Sequence, residues 1–288
     1  MLENFLGFKN PIRRQPESGT VEPTRWLVWA LFFVLFLRFV CIWADTFLGA
    51  ALPKIGASGF TVIFAAFAIL HAMDVLGWPR ALAFLLLCMG ISWGFEAVGV
   101  ATGLVYGNYH YGNTFGAKIE GVPFIIPIAW FMMVYASWVV AHILMEGVST
   151  PRSALGAVTR ALVAALVMTA WDAVMDPGMA LSGAWTWEKG GSYFGVPFQN
   201  FAGWIATTLV VYLAVASVFR IVKQRSIRSR TRLYTGLPVL AYSLVATNHL
   251  LVEVIPELHI VAAFSVFFIA LLTTMRLVCV RGAIALPG

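Results

Sequence analysis

Long apolar stretches alternate with short polar connections along almost the whole chain. Eight of the stretches, at approximately residues 26–44, 59–77, 80–101, 122–145, 154–175, 196–219, 236–255 and 258–280, reach the length of a bilayer crossing. A spanning helix needs roughly 20 consecutive, mainly apolar residues. In lipid the backbone can satisfy its own polar groups only as a helix or a closed barrel. The pattern therefore predicts an all-α polytopic transmembrane helix bundle of about eight spans. A single transmembrane domain occupies residues 26–281, between an N-terminal tail at 1–25 and a C-terminal tail at 282–288. A tight turn at Pro256 joins the last two stretches, so a re-entrant hairpin there, and a count of seven or nine, stay open.

Composition agrees with this reading. The chain of 288 residues is 60% hydrophobic and 11% charged, with a mean hydropathy of +0.86. Soluble domains carry roughly 25% charged residues. The net charge of +6 might have pointed to nucleic acid, but six of the 19 basic residues sit in one run, Arg220 to Arg232. Beside membrane spans such a run marks a cytoplasmic loop near anionic lipid, so no nucleic-acid partner is expected.

With the N-terminus inside, Lys9, Arg13, Arg14, Arg25, Arg80, Arg152, Arg160, that run of six, Arg276 and Arg281 are cytoplasmic, which makes 15. Lys54, Lys118 and Lys189 are external, which makes three, and Arg38 lies within the first span. This bias predicts a multi-pass cell-membrane protein with both termini cytoplasmic. The N-terminus shows no cleavable signal pattern. Cys41, Cys88 and Cys279 lie in apolar stretches without a CxxC pair, which argues against a disulfide framework or a structural zinc site.

Two segments resemble each other. "EAVGVATGLVYGNYHYGNTFGAKIEGVPFIIPIAW" runs from Glu96 to Trp130, and "WDAVMDPGMALSGAWTWEKGGSYFGVPFQNFAGW" from Trp171 to Trp204. Each has an acid near the end of a span, then a glycine- and aromatic-rich loop, then Gly-Val-Pro-Phe with a tryptophan seven residues after the proline. The pattern reads as a parallel internal repeat of helix–aromatic loop–helix units, 80–145 and 154–219, with both loops at one external mouth. The prolines suit the first turn of a helix, and the glycines allow tight turns.

An acid within a span is a functional candidate by default. Glu96, Asp172 and Asp176 are the candidate catalytic groups, with Asp176 on the same helical face as Asp172. They could share a proton or bind a cation. The alternative is helix-end carboxylates bonded to loop amides, and Asp176, preceding Pro177, also reads as a helix-stop residue. Candidate substrate-binding residues are Trp93, Tyr106, His110, Tyr111, Trp171, Trp185, Trp187, Tyr193 and Asn200. The competing reading for each ring is the interfacial aromatic belt. His71, His142 and His249 read as core histidines bonded across helices. Asp74 and Arg80 read as surface residues of a short turn, Arg38 needs a partner, and Glu253 and Glu257 flank the last external turn.

Several chemistries lack their motifs. Five histidines without HxxxH or HxxHH spacing do not suit a membrane di-iron enzyme. Asp172 and Asp176 form only one of the two aspartate motifs that an intramembrane prenyltransferase uses. There is no Rossmann fingerprint and no GxSxG elbow. What remains is acid chemistry on a lipophilic substrate, with no cofactor and no metal. A buried carboxylic acid can protonate an isolated alkene to a tertiary carbocation. Aromatic faces stabilise that cation, and water then adds.

The two segments resemble the signature blocks of the integral-membrane carotenoid biosynthesis proteins, the carotenoid 1,2-hydratases of the γ-carotene and bacterioruberin type. The matching elements are E-x-x-G-x-x-T-G, Y-G-x-Y-x-Y, G-V-P-x-x-x-P, D-x-x-x-D-P, W-x-W and Y-x-G-V-P-x-x-N-F-x-G-W, over about residues 92–204. The resemblance implies water addition across the terminal double bond of an acyclic carotenoid end group, with no cofactor. The implied partners are the carotenoid, water, membrane lipid and other enzymes of carotenoid synthesis. On this reading Asp172 is the proton donor, Glu96 tunes it or activates water, Asp176 and Asn200 orient water, and Trp185, Trp187 and Tyr106 flank the cation. The alternatives are a carotenoid- or lipid-binding transporter without catalysis and an elongase or prenyltransferase of the same pathway. A carotenoid is about as long as the roughly 30 Å hydrocarbon core is thick, so one held across the membrane presents its end group near the mouth.

Overall fold

The computed structural model describes residues 23–147, 154–222, 230–280, 282–284 and 286. The N-terminal tail up to residue 22, most of the basic run and the last two residues lie outside these. In chain order the helices are α1 (Pro23–Leu48), α2 (Ala57–Leu76), α3 (Trp78–Thr102), α4 (Ile125–Leu144), α5 (Ala154–Leu181), α6 (Phe198–Ile221), α7 (Arg232–Thr235), α8 (Leu237–Leu251), α9 (Leu258–Ala262) and α10 (Phe268–Cys279). A π-helical segment, Ala263–Phe267, joins α9 to α10. The strands are β1 (Tyr109–Tyr111), β2 (Lys118–Ile119), β3 (Val122–Pro123) and β4 (Trp185–Trp187).

Among the described residues seven helices are long and apolar enough to cross a membrane, counting 258–279 as one. The protein is an all-α, membrane-embedded bundle. The helix of the expected span at 236–255, α8, has 15 residues, fewer than the roughly 20 of a full crossing, yet Arg232 just before it and Arg276 at the end of α10 both meet Glu146, so the chain leaves and regains the same end of the bundle.

The sequence of α4 explains its place at the centre. It is apolar on every face, and a helix without a polar face is buried on all sides. Sixteen of its residues, from Ile126 to Ile143, are buried, and it packs against α2, α3, α5, α8 and α10. The outer helices instead turn large apolar side chains outward, such as Leu86, Leu162 and Phe264, as a lipid-facing surface requires.

At the end of the bundle away from the aromatic loops, basic side chains tie the helices together. Arg230 makes a two-pronged contact with Asp74, at 2.7 and 2.6 Å, and Arg232 one with Glu146, at 3.1 and 2.6 Å. Arg80 and Asp74 are not surface residues. Arg80 is buried and donates to the carbonyls of Phe219 and Val222 at the end of α6, where a helix leaves carbonyls without partners. His71 is a satisfied core histidine, 2.8 Å from the Tyr135 hydroxyl and 2.9 Å from the Tyr234 carbonyl.

At the other end the two aromatic loops meet. β1 and β4 pair antiparallel, Tyr109 opposite Trp187 and Tyr111 opposite Trp185. Two glycines permit the close backbone approach. A Cβ on Gly112 would lie 2.2 Å from the Gly183 carbonyl oxygen, and one on Gly191 would lie 2.0 Å from the Val196 carbonyl carbon. Gly191→Ala is expected to destabilise the protein by at least about 2 kcal/mol, because backbone cannot move aside as a side chain can. The check is the unfolding midpoint in detergent, and an unchanged midpoint contradicts it.

Gly121 and Gly195 do take positive φ, at 77° and 87°. The prolines that follow them differ from the expected helical first turn. Pro123 lies in β3, two residues before α4 begins, and Pro197 is the N-cap of α6.

Candidate active site

Alternation within the two loop strands sets which rings face inward. Successive strand side chains point to opposite sides. Tyr109, Tyr111, Trp185 and Trp187 are buried, while His110 and Thr186 between them are exposed. The first four form the roof of a cavity of about 150 Å³. Two tryptophans from corresponding positions of the two segments form a second wall. Trp130 on α4 and Trp204 on α6 stack with centroids 4.2 Å apart and planes at 19°, and Trp171 meets Trp204 edge-on at 6.1 Å.

Tyr106 is wedged into this wall by close packing. Its ring passes Gly99 on α3 and Gly203 on α6, where added Cβ atoms would lie 2.8 and 2.6 Å from ring carbons. Its hydroxyl pairs with Thr207 Oγ1 at 2.8 Å, and its carbonyl accepts the Trp187 indole N–H at 2.8 Å.

Three carboxyl groups lie here, in two different settings. Glu96, near the end of α3, is 4% exposed. Its Oε2 accepts the Tyr109 and Tyr111 hydroxyls, the latter at 2.7 Å, and its Oε1 accepts the Trp130 indole N–H at 2.9 Å. Three donors and no acceptor surround it, a set that suits a carboxylate.

Asp172 and Asp176 lie one turn apart on α5 and share one donor. Asn200 Nδ2 donates to Oδ2 of both, at 3.0 and 2.5 Å. All three side chains are buried. Two buried carboxyl groups on one amide donor are balanced when one of them carries a proton. The pair therefore suits a group that gives up and recovers a proton.

Asp176 is not a helix stop, because α5 continues through Pro177 to Leu181. Proline has no N–H to give the carbonyl four residues back. The carbonyl concerned belongs to Ala173, and the Tyr193 hydroxyl fills the gap at 2.9 Å.

The structure sorts the candidates. Glu96, Tyr106, Tyr111 and Asp176 line the cavity, as do Trp171, Trp185, Trp187 and Asn200. Asp172 is fully buried and does not line the cavity, and its Oδ1 has no partner among the described residues. Tyr193 serves the α5 backbone. Trp93 is exposed and does not line the cavity, and His110 is exposed on the outer side of β1. Tyr109, Trp130 and Trp204 are further wall residues, outside the candidate set. The Y-x-Y alternation and the matched tryptophans of the two segments carried the signal for them. Among the described residues, no group of three or more His, Cys, Asp or Glu side chains is placed to hold a metal ion.

Burial, then the nearby Glu96 charge, raises the Tyr106, Tyr109 and Tyr111 hydroxyls far above their ordinary value of 10.0. Tyr193 is pushed up to about 12, chiefly by burial. These groups keep their protons in the folded protein at a pH where the unfolded chain loses them. Their contribution is therefore complete below about pH 10 and is lost as pH rises above it. The unfolding midpoint is expected to be insensitive to tyrosine ionisation below that pH and to fall above it. The double change Tyr109→Phe, Tyr111→Phe should make the fall shallower, and an unaltered slope contradicts the assignment.

Comparison with known proteins adds three findings. A family model described as carotenoid biosynthesis protein matches residues 56–272. The bisanhydrobacterioruberin hydratase of Haloarcula japonica is 37% identical over 123 residues, which are 42% of this chain and 40% of that protein. No solved structure matches.

Proposed function

The chain belongs to the carotenoid biosynthesis protein family, and on that premise we propose that it is a carotenoid hydratase. It adds water across the terminal double bond of an acyclic carotenoid end group. The observation that carries this reading is a buried carboxyl pair, Asp172 and Asp176, at a cavity otherwise walled by aromatic rings. The relative from Haloarcula japonica is named as a hydratase.

The cavity of about 150 Å³ suits one branched terminal unit, since a protein cavity of about that size takes up benzene. Asp176, the member of the pair in the wall, gives its proton to the less substituted carbon of the double bond. The π electrons form the new C–H bond and leave a tertiary cation. The cation forms beside the aromatic wall of Trp187 and the Trp130–Trp204 stack, whose π electrons stabilise it. Glu96, held by three donors, supplies a fixed counter-charge without giving up its hydrogen bonds.

Water attacks the cation through an oxygen lone pair. The proton it then sheds returns to the Asp172–Asp176 pair, which restores the acid. Trp171, whose indole N–H has no partner among the described residues, is the free donor for a water or product oxygen. Net, one water is added and nothing is oxidised or reduced. This assignment moves the donor role from Asp172 to Asp176, because of the two only Asp176 lines the cavity.

The distribution of basic residues supports a cell-membrane protein with both termini on the cytoplasmic side and the site at the opposite face. The meeting of the two loops and the stacking of Trp130 on Trp204 support an origin of the segments as two copies of one unit.

The test is expression in cells that accumulate lycopene or γ-carotene, with mass spectrometry of the extracted pigments. A product heavier by one water is expected. If no acyclic-ended carotene gains water, the reading fails.

A further inference from the structure

The cavity has a closed end and an open end. At the closed end Glu96, Tyr109, Trp130, Asp176, Asn200 and Trp204 are all buried. At the other end Ala57 is exposed, and Phe60, Phe115, Ile125, Met175 and Met179 are partly exposed. The second set comes from the first turn of α2, the loop before β2, the first turn of α4 and the last turns of α5, and none of its members carries a charge.

The helices show where this end opens. α2 and α5 both pack against α4. Between them, Ile125, Ala129 and Met132 form one stripe of α4, spaced as a single helical face. The opening is therefore sideways, between α2 and α5, with Phe115 above it and α4 behind it. It faces the lipid side of the bundle near the helix ends.

Its frame is held in place. The Arg38 guanidinium on α1 lies 4.3 Å from the Phe60 ring centroid, and Arg38 Nε donates to the Ile55 carbonyl at 3.4 Å, two residues before Ala57. Arg38, whose partner the sequence left open, thus fixes both the wall ring Phe60 and the chain leading to Ala57.

Volume decides what the opening is for. About 150 Å³ holds one terminal unit, and a substrate many times longer cannot be enclosed. On the hydratase reading, we infer that the opening between α2 and α5 is the portal occupied by the polyene chain. The end group enters head first from the lipid, and the rest of the hydrocarbon stays in the bilayer against Ala57, Phe60, Met175 and Met179. The enzyme then reads the end group and leaves the length of the remaining chain unmeasured.

The experiment compares wild type with Ala57→Trp and Met179→Trp in lipid nanodiscs, using the monodisperse fraction of each. Hydration is measured on a full-length acyclic carotene and on a short acyclic isoprenoid with the same end group. The polyene bound per protein after purification from carotene-producing cells is measured in parallel. A ring filling the portal obstructs a long chain more than a short one. The long-to-short ratio is expected to fall by about tenfold or more, with bound polyene falling too. A folding defect lowers both rates together, so the ratio reports the portal alone. A ratio and a pigment content like those of wild type in both variants overturn the portal while leaving the hydratase reading intact. If wild type hydrates neither substrate, that reading fails, and the pigment bound to the folded variants still decides the portal.

Discussion

Asp176→Asn is expected to lower hydration by about 10²- to 10⁴-fold, the range for losing a positioned general acid, while leaving the protein folded. The amide can still accept the Asn200 N–H through its own oxygen, so the buried contact survives. What disappears is the proton facing the cavity. Asp172→Asn is expected to cost less, because Asp172 does not line the cavity and is linked to Asp176 through Asn200. The measurement is the ratio of hydrated to unreacted carotene in cells, at matched amounts of each variant in the membrane. If Asp172→Asn is the more damaging of the two, Asp176 is not the donor and the roles revert. If neither matters, the carboxyl pair is structural.

Glu96→Gln should fail differently. The two Glu96 oxygens accept from Tyr109, Tyr111 and Trp130, and a glutamine has only one acceptor atom to offer. Its amide nitrogen must then face another donor, which costs about 1–3 kcal/mol for a buried group left unsatisfied. Removing the counter-charge should independently slow hydration by about 10²-fold or more, as when a preorganised electrostatic partner of the reacting centre is lost. Trp130→Phe in the same chain removes the facing N–H and should recover part of the stability. It should not recover the rate. Unfolding midpoint and product ratio, measured on the single and double variants, separate the two effects. If activity returns along with stability, Glu96 acts only as a packing hub for the three rings.

Most of the architecture was legible in the chain because the bilayer leaves few alternatives. An apolar run of spanning length must become a helix, and the runs at 59–77, 80–101 and 196–219 each correspond to one. The departures came where contacts outside the local sequence took over. α8 stops at Leu251, four residues short of Ile255, where His259 meets the Leu250 carbonyl. Arg80 reads as a turn residue until the carbonyl end of α6, more than a hundred residues away, is placed against it. Asp176 before Pro177 reads as a helix stop until Tyr193 supplies the hydrogen bond that proline removes.

The candidate site divides in the same way. Which residue types line the cavity was visible, since acids and a dense set of rings in a lipid-embedded chain demand an explanation. Which of them face one another was not. His110 lies between Tyr109 and Tyr111 in sequence yet points outward, because strand alternation and the pairing of β1 with β4 decide the inner face. Trp93, three residues from Glu96 on the same helix, is exposed where Glu96 is buried.

The sequence by itself determined that this is a membrane-embedded helical protein with acids and aromatic rings gathered in two similar segments. Hydrophobic length and local chemistry are properties of each stretch taken alone. Only the tertiary structure decided that the two segments share one cavity, that Glu96 is ringed by donors while Asp176 is paired with another acid, and that the cavity opens sideways between α2 and α5. Those are relations between residues tens of positions apart, and they depend on which helix packs against which. Close packing of glycine against ring and of strand against strand settles that, and no single stretch of the chain records it.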